Sequence, residues 1–422
     1  MASRGRTWSS LLANLALAGG SLVATLLLLE GAARVERRLR GGGKGTGEQG
    51  LYFEHDPRLG WRKRAGTRVT YRRAEYTVEV AINSHGLRDP ERTYPAGRAR
   101  ILALGDSFVE GFTVPLDQTL TQVLERLLAT PGCAVEVVNA GTAGYSTDQE
   151  YLFYLHEGQR FPAGIVLLFF FYNDVLPTTS ARYFGTPKPL LRIEGDGLVP
   201  AHDPVPAPRR NRGPQVAAPE PMRGSAALAW VARRLMVGAP LAFNSLARLG
   251  LWEPLGDEVP HQQLHVYKRK RQPAIEEAWE LTEAILGRLR DEARGRGAKF
   301  AVVYVPSRME VSDRDWDLTR LRYGFDDKWD RRLVVQRLEQ VGAAVGFPVL
   351  DLTRTLREAD QGLLGEPYLR LDSHWTRLGH HAAAQAVAGF LRSLGWLPPV
   401  SCAPHEAGDM TTGHPTRLGP RT

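Results

Sequence analysis

Apolar positions along the chain follow two rhythms. Short apolar runs at 100–104 (RILAL), 135–138 (VEVV), 164–171 (GIVLLFFF), 299–305 (KFAVVYV) and 348–352 (PVLDL) read as buried strands. Between and after them, residues 119–129, 147–160, 274–296, 328–345 and 377–394 repeat their apolar positions with the helical period. Five buried strands alternating with helices predict an α/β domain in three layers, a parallel sheet covered on both faces. Active sites of such sheets gather at the carboxyl ends of the strands.

Outside this rhythm the pattern changes. Residues 51–98 read as short strands and turns, with alternation in EYTVEVAI (75–82) and a turn in INSHGLRD (82–89). A long insertion at 176–272 interrupts the main domain. Within it, DPVPAPRRNRGPQVAAPEP (203–221) is a Pro-rich loop, and SAALAWVARRLMVG (225–238) sets Leu228, Val231, Leu235 and Met236 on one helical face, stopped by Pro240. That face is expected to pack on the main domain, with a lid or a bilayer contact as the alternatives. The expected organisation is an anchor and linker at 1–50, a β-rich prefix at 51–98, the main domain at 99–397 and a flexible tail at 398–422. No internal repeats are present.

Residues 10–29 carry no charge, long enough to span a bilayer as a helix. Gly31 and Ala33 also offer the small residues of a signal cleavage site, but the length of the run favours an uncleaved anchor. Arg4 and Arg6 precede the span, and Arg34, Arg37, Arg38, Arg40 and Lys44 follow it. By the positive-inside rule alone, that asymmetry would keep the main domain in the cytoplasm.

Composition then narrows the classes. At 422 residues, with 24% charged and 43% hydrophobic residues, the chain is an ordinary globular protein with ample core. Its net charge of +8 is carried mostly by arginines scattered among acids, concentrated locally at 34–40, 62–73 and 209–212. A nucleic-acid binder would cluster them, so this reads as a solvated basic surface with anionic lipid or glycan contact near the membrane, and no nucleic-acid partner. Cys133 and Cys402 match no metal spacing and are expected as free thiols, with an oxidised pair as the alternative if the domain sits outside the cytoplasm.

Candidate chemistry collects at predicted strand ends. Ser107 follows the run 100–104; by itself, a serine there could simply cap a helix. After 135–138 comes NAGTAGYST (139–147), whose glycines let backbone N–H groups approach a ligand. After 164–171 comes YNDV (172–175), and RLDSHWTRLGHH (370–381) sets Asp372 and His374 just before the last helix. One sheet edge therefore gathers a hydroxyl, backbone donors, an amide and an Asp/His pair. Acyl transfer needs that set: a nucleophile, a neutral base, a carboxylate that fixes the base's tautomer, and preorganised donors for an oxyanion. His380 and His381 lie a turn further on, where a solvated or core-edge role is expected. No His/Glu pair has the spacing of a zinc helix, so no metal is expected.

GDSFVEG, NAGTAGYST, YNDV and LDSHWT resemble the ordered blocks of the SGNH (GDSL) hydrolase superfamily, over roughly 99–178 and 298–395. HDPRLGW (55–61) and AINSHGLRD (81–89) resemble a prefix of its membrane-anchored bacterial members. The resemblance implies a flavodoxin-like SGNH fold and a serine ester hydrolase without cofactor. It makes Ser107 the nucleophile, His374 the base and Asp372 its orienter, with an oxyanion hole from Ser107, Gly144 and Asn173. It places the catalytic domain outside the cytoplasm, tethered to the membrane, with a small-molecule, lipid or glycan ester as substrate. Two departures stand out. Tyr172 precedes the Asn where many members have Gly, and Asp-x-His replaces the commoner Asp-x-x-His, as in SGNH-like proteins that acetylate polysaccharides. An O-acyltransferase acting on a cell-envelope glycan is therefore the alternative, and a non-enzymatic envelope protein the second.

Overall fold

The computed structural model describes residues 4–39, 52–73, 75–130, 134–183, 185–195, 197–208, 225–239, 262–362 and 365–397, with a few positions between 242 and 249. Cys133 and Cys402, the linker, most of the Pro-rich loop and the tail lie outside the described residues. Strands β1 (Phe53–Asp56), β2 (Gly60–Lys63), β3 (Arg68–Arg72) and β4 (Thr77–Ala81) come first, followed by β5 (Arg100–Leu104), β6 (Glu136–Asn139) and β7 (Ile165–Phe171). The insertion adds β8 (Arg182–Tyr183), β9 (Thr186–Pro187), β10 (Leu191–Glu194) and β11 (Gly197–Pro200); β12 (Lys299–Val305) and β13 (Val349–Asp351) complete the set.

One five-stranded sheet has the order β13-β12-β7-β5-β6, every neighbouring pair parallel. Every residue of β7 is buried, as a strand covered on both faces requires. Helices Leu120–Leu128 and Arg377–Ser393 pack together as one group, and Thr147–Glu157, Pro273–Gly295 and Leu333–Val345 as another. The chain starts at β5, steps to the edge strand β6, then crosses back to β7 on the other side of β5. That reversal is the topological switch point, and sites of open α/β sheets lie beyond the carboxyl ends of the strands at such a point, here β5 and β7.

The prefix is two antiparallel hairpins, β1–β2 and β3–β4. Tyr52, Trp61, Tyr71 and Val80 join the same apolar core as β5 and β7. Its buried polar groups clasp the chain around Ser107. Arg88 donates to the carbonyls of Glu110, Gly111 and Val114, and Lys63 to Gly141 O and Thr142 Oγ1. Trp61 Nε1 reaches Ala143 O at 3.1 Å.

Helix Arg4–Leu39 is long and apolar enough over Leu12–Val35 to cross a membrane, runs unbroken through Gly31 and Ala33, and buries none of that window in the protein. Its Glu30 carboxylate accepts the Ser225 hydroxyl and the N–H groups of Ala226 and Ala227, so it caps the insertion helix Ala226–Gly238. The apolar face expected of that helix is divided. Leu228 and Val231 are exposed, while Leu235 packs with Ala232, Phe243 and Leu371. Met236's side chain lies outside the described residues. Arg308–Val311 and Thr353–Ala359 are too short to show a period, and Asp313–Tyr323, with seven polar residues of eleven, offers few apolar positions to read.

Candidate active site

The turn after β5 distributes two roles between neighbours. Asp106, not Ser107, caps the short helix Ser107–Glu110: its carboxylate accepts the Phe108 N–H at 2.9 Å. The Ser107 hydroxyl is left to face His374, with 2.8 Å between Oγ and Nε2. On the far side of that ring, Nδ1 is bonded to Asp372 Oδ1. Ser107 and, 267 positions further on, His374 with its near neighbour Asp372 thus form one hydrogen-bonded line.

After β7 the same division recurs. Asp174 accepts the Phe171 N–H at 2.8 Å and closes the strand, which frees Asn173 from that task. Asn173 Nδ2 donates to the Tyr183 hydroxyl at 3.1 Å, which engages one of its two amide protons. After β6, Gly144 sits at φ +79°, a left-handed conformation that glycine adopts without strain. Gly141 is needed for closeness: a Cβ there would stand 2.4 Å from the Glu110 backbone nitrogen. Ala143 N–H is tied to the buried Glu110 carboxylate at 2.7 Å, so the turn that carries Gly144 is anchored to the helix that carries Ser107. Because β6 and β7 both flank β5, Gly144 and Asn173 stand on either side of the strand that presents Ser107.

The electrostatics suit a base held ready. Burial pushes the His374 pKa down, but Asp372 beside it, and Asp106 more weakly, carry it above the usual imidazole range. Burial pushes Asp372 up, yet His374 and the Tyr76 hydroxyl outweigh that and leave it below the usual carboxylate range. The rings of Phe108 and Phe112 pack on His374 at 5.0 and 4.9 Å. Behind Ser107, burial raises Asp106 to about 6, and burial with neighbouring carboxyls pushes Glu150 and Asp174 well up. Asp148 in that cluster is paired with Lys188.

Of the solvated and core-edge roles expected, His380 takes the core one. It is buried, accepts the Leu120 N–H on Nδ1 at 3.2 Å, and packs edge-on against Trp375. His381 is exposed. Among the described residues, no group of three or more His, Cys, Asp or Glu could hold a metal ion. Sequence reasoning missed Glu75, Tyr76 and Arg308, all bonded to the segment that carries Asp372. No local signal could have found Tyr76, because its partner lies 296 positions away.

A family model described as an SGNH hydrolase-like domain, acetyltransferase AlgX, matches residues 264–417, a stretch that contains β12, β13, Asp372 and His374. The chain carries an SGNH hydrolase-like domain. That domain is of an ester-acting class, hydrolase or acyltransferase. Among solved structures, a lipase/acylhydrolase from Enterococcus faecalis is similar at 14% identity, covering 72% of this chain and 100% of its own, with a TM-score of 0.36. A catalytic mutant of an acetylxylan esterase from Geobacillus stearothermophilus is similar at 13% identity, covering 73% and 100%, with a TM-score of 0.35. A G-D-S-L family lipolytic protein from Desulfitobacterium hafniense stands at 12% identity, 69% and 99% coverage and 0.33. At that distance these are similarities only. A search of curated proteins found no match.

Proposed function

We propose that the SGNH-like domain cleaves ester bonds through an acyl-serine intermediate. The observation that supports this most is the 2.8 Å contact between Ser107 Oγ and His374 Nε2, with Asp372 on the other ring nitrogen. In this reading Ser107 Oγ attacks the ester carbonyl carbon and its proton passes to His374 Nε2. The charge that forms on the carbonyl oxygen meets the N–H groups of Ser107 and Gly144 and the second amide proton of Asn173. Collapse breaks the bond to the alcohol, which leaves with the proton from His374. An acceptor hydroxyl then gives its proton to His374, attacks the acyl carbon, and Ser107 recovers its own proton. Asp372 keeps the imidazole in the right tautomer and stabilises its charged form throughout.

Water as acceptor makes the protein an esterase; a sugar hydroxyl makes it an O-acyltransferase. The acyltransferase reading draws support from the acetyltransferase description of the matching family and from the Asp-x-His spacing. We place the domain outside the cytoplasm, on an uncleaved anchor, where a cell-envelope glycan would be within reach.

Intact-mass analysis of the full-length protein in detergent, after treatment with a fluorophosphonate, tests the nucleophile: one adduct is expected on the wild type and none on Ser107→Ala. An adduct on Ser107→Ala removes the assignment. Acyl donors supplied with water alone or with glycan then decide the acceptor, by whether free acid or acylated glycan forms faster. Reporters fused after residue 50 test the topology; an inactive alkaline phosphatase beside a fluorescent cytoplasmic reporter would reverse it.

A further inference from the structure

The turn between β3 and β4 lies far from the triad in sequence, yet two of its side chains hold the segment that carries Asp372 and His374. The Tyr76 hydroxyl donates to Asp372 Oδ2 at 2.8 Å, the oxygen that His374 does not use. Beside it, the Glu75 carboxylate accepts three successive N–H groups, from Arg370 at 2.6 Å, Leu371 at 2.8 Å and Asp372 at 3.1 Å. From another side, Arg308 donates to the carbonyls of Leu369 and Arg370 at 3.0 and 2.7 Å. The segment needs such support. Ser373 sits at φ +63°, an uncommon conformation for a residue with a Cβ. A turn in that state persists where its surroundings impose it.

We propose that Tyr76 and Glu75 are positioning residues for the Asp372–His374 pair, so that the amino-terminal hairpin completes the candidate active site; this rests on the triad reading given above. Glu75 fixes the backbone that carries the acid, and Tyr76 fixes the plane of its carboxylate. With Oδ2 held by a hydroxyl, Oδ1 is aimed at the His374 Nδ1 proton, as supporting hydrogen bonds do for a working ligand or base. The hydroxyl also draws charge from the carboxylate and so tempers its pull on the imidazolium. Burial and Asp372 both raise the Tyr76 pKa, so it remains a donor. Among the described residues, the other charged or titratable groups acting on the pair include Asp106 from the β5 turn, Arg73 and Glu75 from the hairpin, and His380 from the last helix.

The competing account is packing alone, since the Tyr76 ring stacks on Tyr71 at 6.3 Å. Tyr76→Phe keeps the ring and removes only the hydroxyl. We would follow p-nitrophenyl acetate hydrolysis by full-length wild type, Tyr76→Phe, Glu75→Gln and Ser107→Ala in detergent, across pH, with melting curves. Tyr76→Phe is expected to lower kcat about tenfold, the scale of one hydrogen bond to a charged group, with KM unchanged. The acidic limb of kcat/KM should move to higher pH, because the untempered carboxylate stabilises the imidazolium more. Glu75→Gln should also lower kcat while the protein stays folded, and it carries the test if Tyr76→Phe fails to fold. Wild-type kcat with an unmoved acidic limb in Tyr76→Phe overturns the proposal, as does a lowered melting temperature with normal turnover. Should Ser107→Ala retain the activity, the triad reading itself falls, whatever Tyr76→Phe does.

Discussion

His380→Asn should make the protein less sensitive to acid. The His380 ring lies within the core, with Leu120 N–H on Nδ1, the Trp375 ring perpendicular to it and Gly111 so close that a Cβ there would meet Cε1 at 3.1 Å. Burial, then the charges of Arg88 and His374, lower its pKa from 6.5 to about 3. An unfolded chain takes up a proton at this site below pH 6.5, and the folded chain refuses it until about pH 3. Stability therefore falls as pH drops through that window, by about 1.4 kcal/mol per pH unit. Between pH 7 and pH 5 the site should cost about 2 kcal/mol. Other groups oppose this trend. Burial raises Asp89 and Asp106 to about 6 and Glu310 to about 7. Raised carboxyls stabilise the fold at low pH and lose that contribution as pH rises through their folded values, so the raw acid slope is a sum. The difference between wild type and His380→Asn isolates the histidine. Asn keeps an acceptor for Leu120 N–H and cannot titrate. In urea unfolding at pH 7 the variant should be less stable by about 1–3 kcal/mol for lost packing, and that gap should narrow by about 2 kcal/mol at pH 5. An equal gap at both pH values would refute the reasoning.

Four further outcomes follow from the site and its support. Asn173→Ala should lower kcat by about a hundred- to a thousand-fold with little change in KM, because a donor to a forming oxyanion acts mainly in the transition state; a folded, destabilised and fully active variant would remove the role. His374→Ala should be more damaging than Asp372→Asn, since loss of the base costs roughly a hundred- to ten-thousand-fold while the orienter's loss leaves an imidazole in the wrong tautomer part of the time. In the wild type, activity should fall as pH drops through a His374 pKa above the usual imidazole value, where the base becomes protonated. Lys188→Met should destabilise the fold by about 3–5 kcal/mol, seen in the melting temperature, because it strips the buried Asp148 of its counter-charge, and Asp148→Asn in the same chain should restore most of the loss.

Some of this was legible along the chain. The seven buried residues of β7 read as a strand because an apolar run of that length has few other uses in a parallel sheet. Ser107, Asn173, Asp372 and His374 stood out because they follow apolar runs or precede a helix, and such boundaries are local. Helix starts were less legible: Leu333 begins its helix after a turn in which Asp330 accepts the Arg332 N–H, where periodicity alone suggested 328. The assignment of tasks within each block was decided only in three dimensions. GDS and YND each contain an acid that could cap, close or catalyse, and Asp106 and Asp174 took the structural tasks because the N–H groups they accept turned toward them. The strand order that brings Ser107 between Gly144 and Asn173 depends on which edges pair, and spacing does not encode that. The sequence left His380 between solvent and the core edge, and the packing of Leu120 and Trp375 around it decided for the core. Tyr76 and Glu75 carried no mark at all, since a hydrogen bond across 296 positions exists only once the hairpin and the last loop have been packed against the same core.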